Sequence, residues 1–350
     1  MRKENPFSLM YGKTPYSLIE RRNQVDEIVE TFNSNYPSTY SYMISGIRGS
    51  GKTVLLRNVN KILRDEDWII IDANPQGDII STISEKLYYE GNKYKLFSDL
   101  KLKINLKIIE IEIEKNNIVS SPELVFEMLL EKANKNNKKV LISIDEVNDT
   151  KELKVFANFY QMLIGKNYDI FLLMTGLPQN VNSLINADAT SFLSRTPKII
   201  IEPLDLVDIS SEYKRLLNVS DEVSIEMAKL SNGYAFAYQV LGYLFYEYEK
   251  TKLDDEILIK FDSYLRTNGY DVIWKELTNK EQKLCIAMAL SNEMETNVIL
   301  KNAKISLTNY QNYRTKLIEK GIIIPDGYGK VKFVLPRFKE FIINISKFII

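Results

Sequence analysis

The 350-residue chain contains no histidine. That absence excludes Ser-His-Asp and Cys-His nucleophilic catalysis, and every histidine-ligated metal site. Cys285 is the only cysteine, so no internal disulfide can form, which suits a reducing compartment. It sits in an apolar helical stretch and reads as a small core residue rather than a nucleophile. Net charge is absent as well: Lys+Arg and Asp+Glu each total 46, which leaves no general attraction for nucleic acid or acidic lipid. The balance is uneven, however. From Glu276 onward 12 basic residues face 7 acidic ones, a local +5 against −5 for the remainder. No apolar run is long enough to span a bilayer, since the tail at 341–350 is short and broken by Lys347. The polar, punctuated N-terminus does not resemble a signal peptide. The expectation is a cytoplasmic chain with no membrane partner.

Hydrophobic residues at 45% and charged residues at 26% are an ordinary globular mixture, and the length calls for two or three domains. An extended arm with Pro6, Gly12 and Pro15 precedes a helix at about 22–32, whose Val25, Ile28, Val29 and Phe32 share one face. An apolar strand (40–45), a Gly-rich turn, a helix (53–66) and a second strand ending near Asp72 make a βαβ unit, which implies a parallel α/β sheet. Residues 101–114 alternate charged and apolar side chains, the period of a half-exposed strand pair, and predict a hairpin inserted into the sheet domain. Further strands are expected at 140–146, 169–176 and 198–201, with a helix at about 153–164 between the first two. Beyond Pro203 the pattern turns helical, over about 206–217, 221–231 and 235–250.

The chemistry is concentrated at Gly46-Ile47-Arg48-Gly49-Ser50-Gly51-Lys52-Thr53. This segment fits G-x-x-x-x-G-K-[ST] at every fixed position and lies between a strand and a helix. Glycines let the backbone wrap a phosphate closely, and a helix N-terminus adds its partial positive charge. Lys52 can reach the β- and γ-phosphates, the Thr53 hydroxyl can coordinate Mg²⁺, and Val54 extends the nucleotide-contacting set. The run Leu141-Ile-Ser-Ile-Asp145-Glu146 ends a buried strand in two acids. With that strand beside the strand of the loop, Asp145 would hold Mg²⁺ and Glu146 would deprotonate the attacking water. Thr175, closing a neighbouring strand, either contacts the γ-phosphate or aligns the water, or is an ordinary turn residue. Arg195 is either a surface arginine or a finger that neutralises a neighbouring subunit's ATP.

With these motifs in view, the chain resembles the AAA+ ATPases of the origin-recognition and archaeal/bacterial ATP-binding group. The likeness runs through the arm NPFSLMYGKTPYSLIERR, the loop, Asp145-Glu146, MTGLPQNV, FLSRTPKIIIEPL and SNGYAFAYQVLGY. It implies a P-loop α/β core at 1–203, a helical lid at 204–275 and a winged helix-turn-helix at 276–350. ATP and Mg²⁺ are the implied cofactors, and a homo-oligomer is the implied ATP-bound state. Arg21 falls where such proteins line the adenine, although Glu20 replaces the usual glycine before it. Ser194-Arg195 is similar to the arginine-finger motif of clamp loaders. The lid helix after Gly233 lacks the arginine with which many of these proteins sense the γ-phosphate.

Near the C-terminus, Thr278-Asn-Lys-Glu281 is a capping box that opens a helix. Helices at about 295–303 and 307–320 and an alternating segment at 321–335 have the spacing of a helix-turn-helix with a wing. Thr308, Asn309, Gln311, Asn312 and Thr315 would be exposed, while Leu307, Tyr310, Leu317 and Ile318 would face the core. Candidate DNA contacts are Asn309, Asn312 and Arg314 for bases, and Lys330 and Lys332 for phosphates. Winged helices also dock proteins. Two readings therefore stay open: a nucleotide-controlled ATPase acting on double-stranded DNA, or a regulatory ATPase with a protein partner.

Overall fold

A computed structural model describes residues 4–10, 12, 14–105, 108–113, 117–119, 121–186, 193–291 and 294–348. Residues 11 and 13 of the arm, 106, 107 and 114 of the alternating segment, Phe192 and the tail end 349–350 lie outside the described residues. The chain divides into two compact units. One comprises Arg21–Ser45 and Lys52–Ile200; the other comprises Gly46–Gly51 and the described parts of Met1–Glu20 and Ile201–Ile350. The arm and the Gly-rich loop thus group with the helical segments, although the sequence order would place both with the sheet.

The sheet unit begins with α1 (Arg22–Asn33), which buries Val25, Ile28 and Phe32 on one stripe and half-buries Val29. There follow β1 (Ser41–Ser45), α2 (Lys52–Asp65), β2 (Ile69–Ala73) and α3 (Ile79–Asn92). Asp78 caps α3 by accepting from the Ser81 N–H at 3.0 Å. Next come β3 (Lys101–Asn105), β4 (Ile108–Ile113) and β5 (Asn117–Val119), an antiparallel sheet of their own in the order β3-β4-β5. The expected hairpin therefore has a third strand, since 111–113 pair antiparallel with 117–119. The unit is completed by α4 (Pro122–Lys135), β6 (Val140–Ile144), α5 (Lys151–Gly165), β7 (Ile170–Gly176), α6 (Pro178–Ile185) and β8 (Lys198–Ile200).

Five strands pair in parallel in the order β2-β6-β7-β1-β8. Every residue of β1, β6 and β7 is buried, so both faces of the sheet are covered. One expectation is corrected here. The strand that ends at Asp145 is not beside the loop's strand, because β7 lies between β6 and β1. The two remain within reach because α2, which leaves the loop, packs over both β7 and β6.

The helical unit runs through α7 (Leu206–Leu217), α8 (Asp221–Ser231), α9 (Ala235–Glu247), α10 (Asp255–Leu265), one π-turn (Arg266–Tyr270) and α11 (Asp271–Glu276). It continues with α12 (Asn279–Ala289), α13 (Thr296–Ala303), α14 (Leu307–Glu319), a hairpin of β9 (Ile323–Pro325) and β10 (Val331–Phe333), and α15 (Phe338–Ser346). One hydrophobic cluster joins Phe7 of the arm to Leu241, Phe261, Leu284 and Ile342. The segments expected as separate lid and C-terminal domains thus share a core. Arg337, in the left-handed region at φ +57°, ties them further by donating to both oxygens of Asp262 at 2.5 Å. The arm is held by Phe7, which packs so closely on α9 that a Cβ at Gly242 would lie 2.3 Å from its ring. Ser8 N–H donates to Gln239 at 2.9 Å, and the Tyr238 hydroxyl donates to the Ser17 carbonyl at 3.1 Å. Among the described residues no helix is long and apolar enough to cross a membrane.

In α12 the capping box forms as its spacing implies, with the Thr278 hydroxyl accepting from the Glu281 N–H and the Glu281 carboxylate accepting from the Thr278 N–H. Glu281 is only 2% exposed and also accepts from Lys320 at 2.8 Å. Burial works against its charge, but the hydrogen bonds from Lys320 and from the Thr278 backbone outweigh it and lower the carboxyl below its ordinary value. Cys285, one turn further, is fully buried, and burial pushes its thiol well above the ordinary range. Glu281→Ala should cost about 2–4 kcal/mol, since it removes a cap and leaves Lys320 without its buried partner. A urea titration at neutral pH checks this. Because the folded carboxyl is depressed, this stabilisation is complete above the ordinary value of 4.5 and should fade as the pH falls below it. The wild-type advantage over the mutant should shrink accordingly in acid.

Candidate functional site

Gly46–Gly51 connects β1 to α2 as an irregular turn in which the Ser50 N–H donates to the Ile47 carbonyl at 3.3 Å. Gly49 at φ +74° and Gly51 at φ +100° occupy backbone that side chains rarely adopt. Such alternation of handedness turns successive N–H groups toward one side and makes an anion cradle. The loop is gripped by the rest of its unit. Tyr234, just before α9, donates its hydroxyl to the Arg48 carbonyl at 2.7 Å, and the Phe236 N–H donates to the Gly49 carbonyl at 3.2 Å. A Cβ on Gly49 would stand 2.3 Å from the Tyr234 hydroxyl. The Ile47 side chain lies over Gly321, where an added Cβ would be 2.3 Å away, and Arg48 pairs with Glu276 at 3.2 Å.

In the sheet unit, the carboxyl ends of β6 and β7 carry the acids and their support. Ile144 is in register with Met174, which sets Asp145 beside Thr175. The Thr175 hydroxyl, fully buried, donates to one oxygen of Asp145. The Thr53 hydroxyl, on the first turn of α2, donates to the other oxygen at 2.8 Å. Thr175 also accepts from the Glu146 N–H at 3.1 Å, while its carbonyl accepts from the Val147 N–H at 2.8 Å. Glu146 itself is exposed and left-handed, at φ +59°. A non-glycine residue there carries strain of about 1–3 kcal/mol, the kind of cost found at functional positions. Lys52 is buried at 8% exposure, and Val54 is half-buried.

The remaining candidates are more scattered. Arg195 is exposed on a segment anchored by Thr196, whose hydroxyl shares a 2.9 Å hydrogen bond with that of Ser41. Arg21 is half-buried, and its carbonyl accepts from the Val25 N–H at 3.1 Å as α1 begins. On α14, Thr308, Asn309, Gln311, Asn312 and Thr315 are exposed, Arg314 is half-buried, and Tyr310 and Leu317 are in the core. Leu307 was expected in that core but is 52% exposed, because it is the first residue after the Ser306 cap and precedes the buried stripe. Lys330 pairs with Glu295 at 3.3 Å and Lys332 with Asp326 at 3.0 Å. Sequence reasoning missed the contacts of Tyr234, Glu276 and Gly321 with the loop. Only the glycine at Gly49, a position the motif leaves free, signalled that something presses on it.

A family model described as "Domain of unknown function (DUF8462)" matches residues 267–342. No curated protein matches the sequence. Among solved structures, the Walker-type ATPase PABY2304 of Pyrococcus abyssi is 16% identical, covers 93% of this chain and 96% of its own, and superimposes with a TM-score of 0.66. The ORC2 protein of Aeropyrum pernix, in ADPNP-ADP complexes, is 13% identical over 98% of both chains with a TM-score of 0.61. CDC6P of Pyrobaculum aerophilum is 17% identical over 97% of both, with a TM-score of 0.51. The chain shares the fold of these solved structures. Asp145 and Thr175 stand at the carboxyl ends of the strands, the edge of an open parallel sheet where ligands commonly bind.

Thr175→Val is nearly isosteric and removes both hydrogen bonds of its hydroxyl. It should destabilise the protein by about 1–3 kcal/mol, the sum of two net hydrogen bonds. An unchanged midpoint in denaturant titration would show that the hydroxyl supports nothing.

Proposed function

We propose that the chain is a Mg²⁺-dependent ATPase working as a nucleotide-controlled oligomeric switch. The observation that carries this reading is the 2.8 Å hydrogen bond between the Thr53 hydroxyl and Asp145, which puts the motif's hydroxyl and the strand-end carboxylate side by side. One carboxylate and one hydroxyl are hard oxygen donors, and Mg²⁺ is commonly held by one or two such protein groups together with phosphate oxygens. The donor set therefore fits that ion. In this reading Gly46–Gly51 and Lys52 cradle the phosphates, and Val54 and Arg21 add contacts to the nucleotide. Glu146 accepts the proton of the attacking water, with Thr175 fixing the turn that presents it. Mg²⁺ supplies charge neutralisation on the phosphates. Arg195, exposed on the sheet unit, serves a neighbouring subunit's site.

The working parts of this reading are a core at 1–203, a lid at 204–275 and a winged helix at 276–350, which engages duplex DNA through Asn309, Asn312, Arg314, Lys330 and Lys332. A second reading, a protein-docking module in a regulatory ATPase, draws support from the ion pairs that occupy both wing lysines and from the exposed Leu307.

ATP turnover and fluorescent-nucleotide binding test the enzyme. Lys52→Ala should abolish nucleotide binding, whereas Glu146→Gln should keep it and lose about 10²–10⁴ in turnover, the worth of a general base. Arg195→Ala should bind ATP but turn over slowly, and mixing it with Glu146→Gln should restore part of the activity. Unaltered binding in Lys52→Ala would remove the nucleotide reading, and absence of restoration would remove the shared site.

The DNA assignment is checked by titrating the full chain against duplex DNA over a range of salt, with and without ATP. DNA binding should weaken steeply with salt, and Lys330→Ala with Lys332→Ala should reduce the slope by about 2. Absence of binding at low salt in both nucleotide states would leave the protein-docking reading.

A further inference from the structure

The loop is held through its carbonyls and its side chains. A carbonyl in an anion cradle points away from the N–H groups that line it. The Arg48 and Gly49 carbonyls are the acceptors for the Tyr234 hydroxyl and the Phe236 N–H. Tyr234 is only 6% exposed, and its ring occupies the space a side chain at Gly49 would need. Two more contacts come from further along the chain, Ile47 on Gly321 and Arg48 on Glu276. The positions the motif leaves free are thus the ones bound to the start of α9, the end of α11 and the turn after α14.

We propose that Tyr234 is a positioning residue for the phosphate loop, which fixes the cradle for ADP and ATP alike and ties nucleotide affinity to the state of the helical unit. The proposal rests on the nucleotide reading above. Because the grip acts on loop carbonyls rather than on the terminal phosphate, it contributes equally to diphosphate and triphosphate binding. A contribution equal in ground and transition states changes KM and leaves kcat alone. Displacing Gly321 or Glu276 would loosen the same loop, which gives any ligand of the C-terminal elements a route to nucleotide release.

Tyr234→Phe removes only the hydroxyl. Affinities for fluorescent ADP and ATP, steady-state ATP turnover and the melting temperature without nucleotide are measured for wild type, Tyr234→Phe and Lys52→Ala. The expected result is a weakening of both nucleotides in Tyr234→Phe by the same factor, about 2- to 10-fold for one net hydrogen bond. KM should rise by that factor with kcat unchanged, and the melting temperature should stay close to wild type. Equal affinities in wild type and Tyr234→Phe, with Lys52→Ala defective, would overturn the proposal and spare the nucleotide reading. So would a loss confined to ATP, which would make the residue a sensor of the terminal phosphate. Wild type that binds neither nucleotide would overturn both.

Discussion

The arrangement of the site depends on one buried hydroxyl. Thr175 closes β7 and is hydrogen-bonded both to the Asp145 carboxylate and to the Glu146 backbone. Register between β6 and β7 supplies the distance, and the hydroxyl supplies the direction. Without it, Asp145 would keep only its hydrogen bond from Thr53, and the Glu146 N–H would lose its acceptor. Asp145 also accepts from Thr53, and the chain takes a left-handed step at Glu146. Glycine or asparagine would take that step at lower cost.

The five-stranded order explains why this hydroxyl, rather than a direct contact between neighbouring strands, does the aligning. With β7 interposed, the strand that leads into the loop and the strand that ends in the acids never touch. Two routes between them are α2 and β7. Thr53 belongs to the first and Thr175 to the second, and Asp145 accepts from both.

Much of this was legible in the sequence, and the reasons differ by element. The motif at 46–53 and the run ending in Asp145-Glu146 are local patterns, so their strand and helix contexts could be read directly. Strand order is a non-local property, which is why β7 was not anticipated between β1 and β6. The third strand β5 is only three residues long and carries no alternation of its own to read. Helices α6, α10, α11 and α15 went unread because they are short or lie in stretches where apolar residues crowd more than one face. For α10 the signal was present in the Asp254 cap followed by Asp255 and Glu256. The glycine at 49 signals a close neighbour but not which one, since a tyrosine after glycine is equally at home in any helical core. Arg195 and the face of α14 are exposed as expected, but exposure alone does not distinguish a working surface from an idle one.

Cys285 has a practical consequence. The chain's only thiol is fully buried in α12 and its deprotonation is suppressed, so in the folded state it is a poor target for maleimides and other alkylating dyes. A cysteine introduced at any exposed position would then take a fluorophore or spin label selectively, with no need to remove the native one. The native thiol would become reactive only on unfolding, which makes its labelling rate a built-in clock for opening of the helical unit.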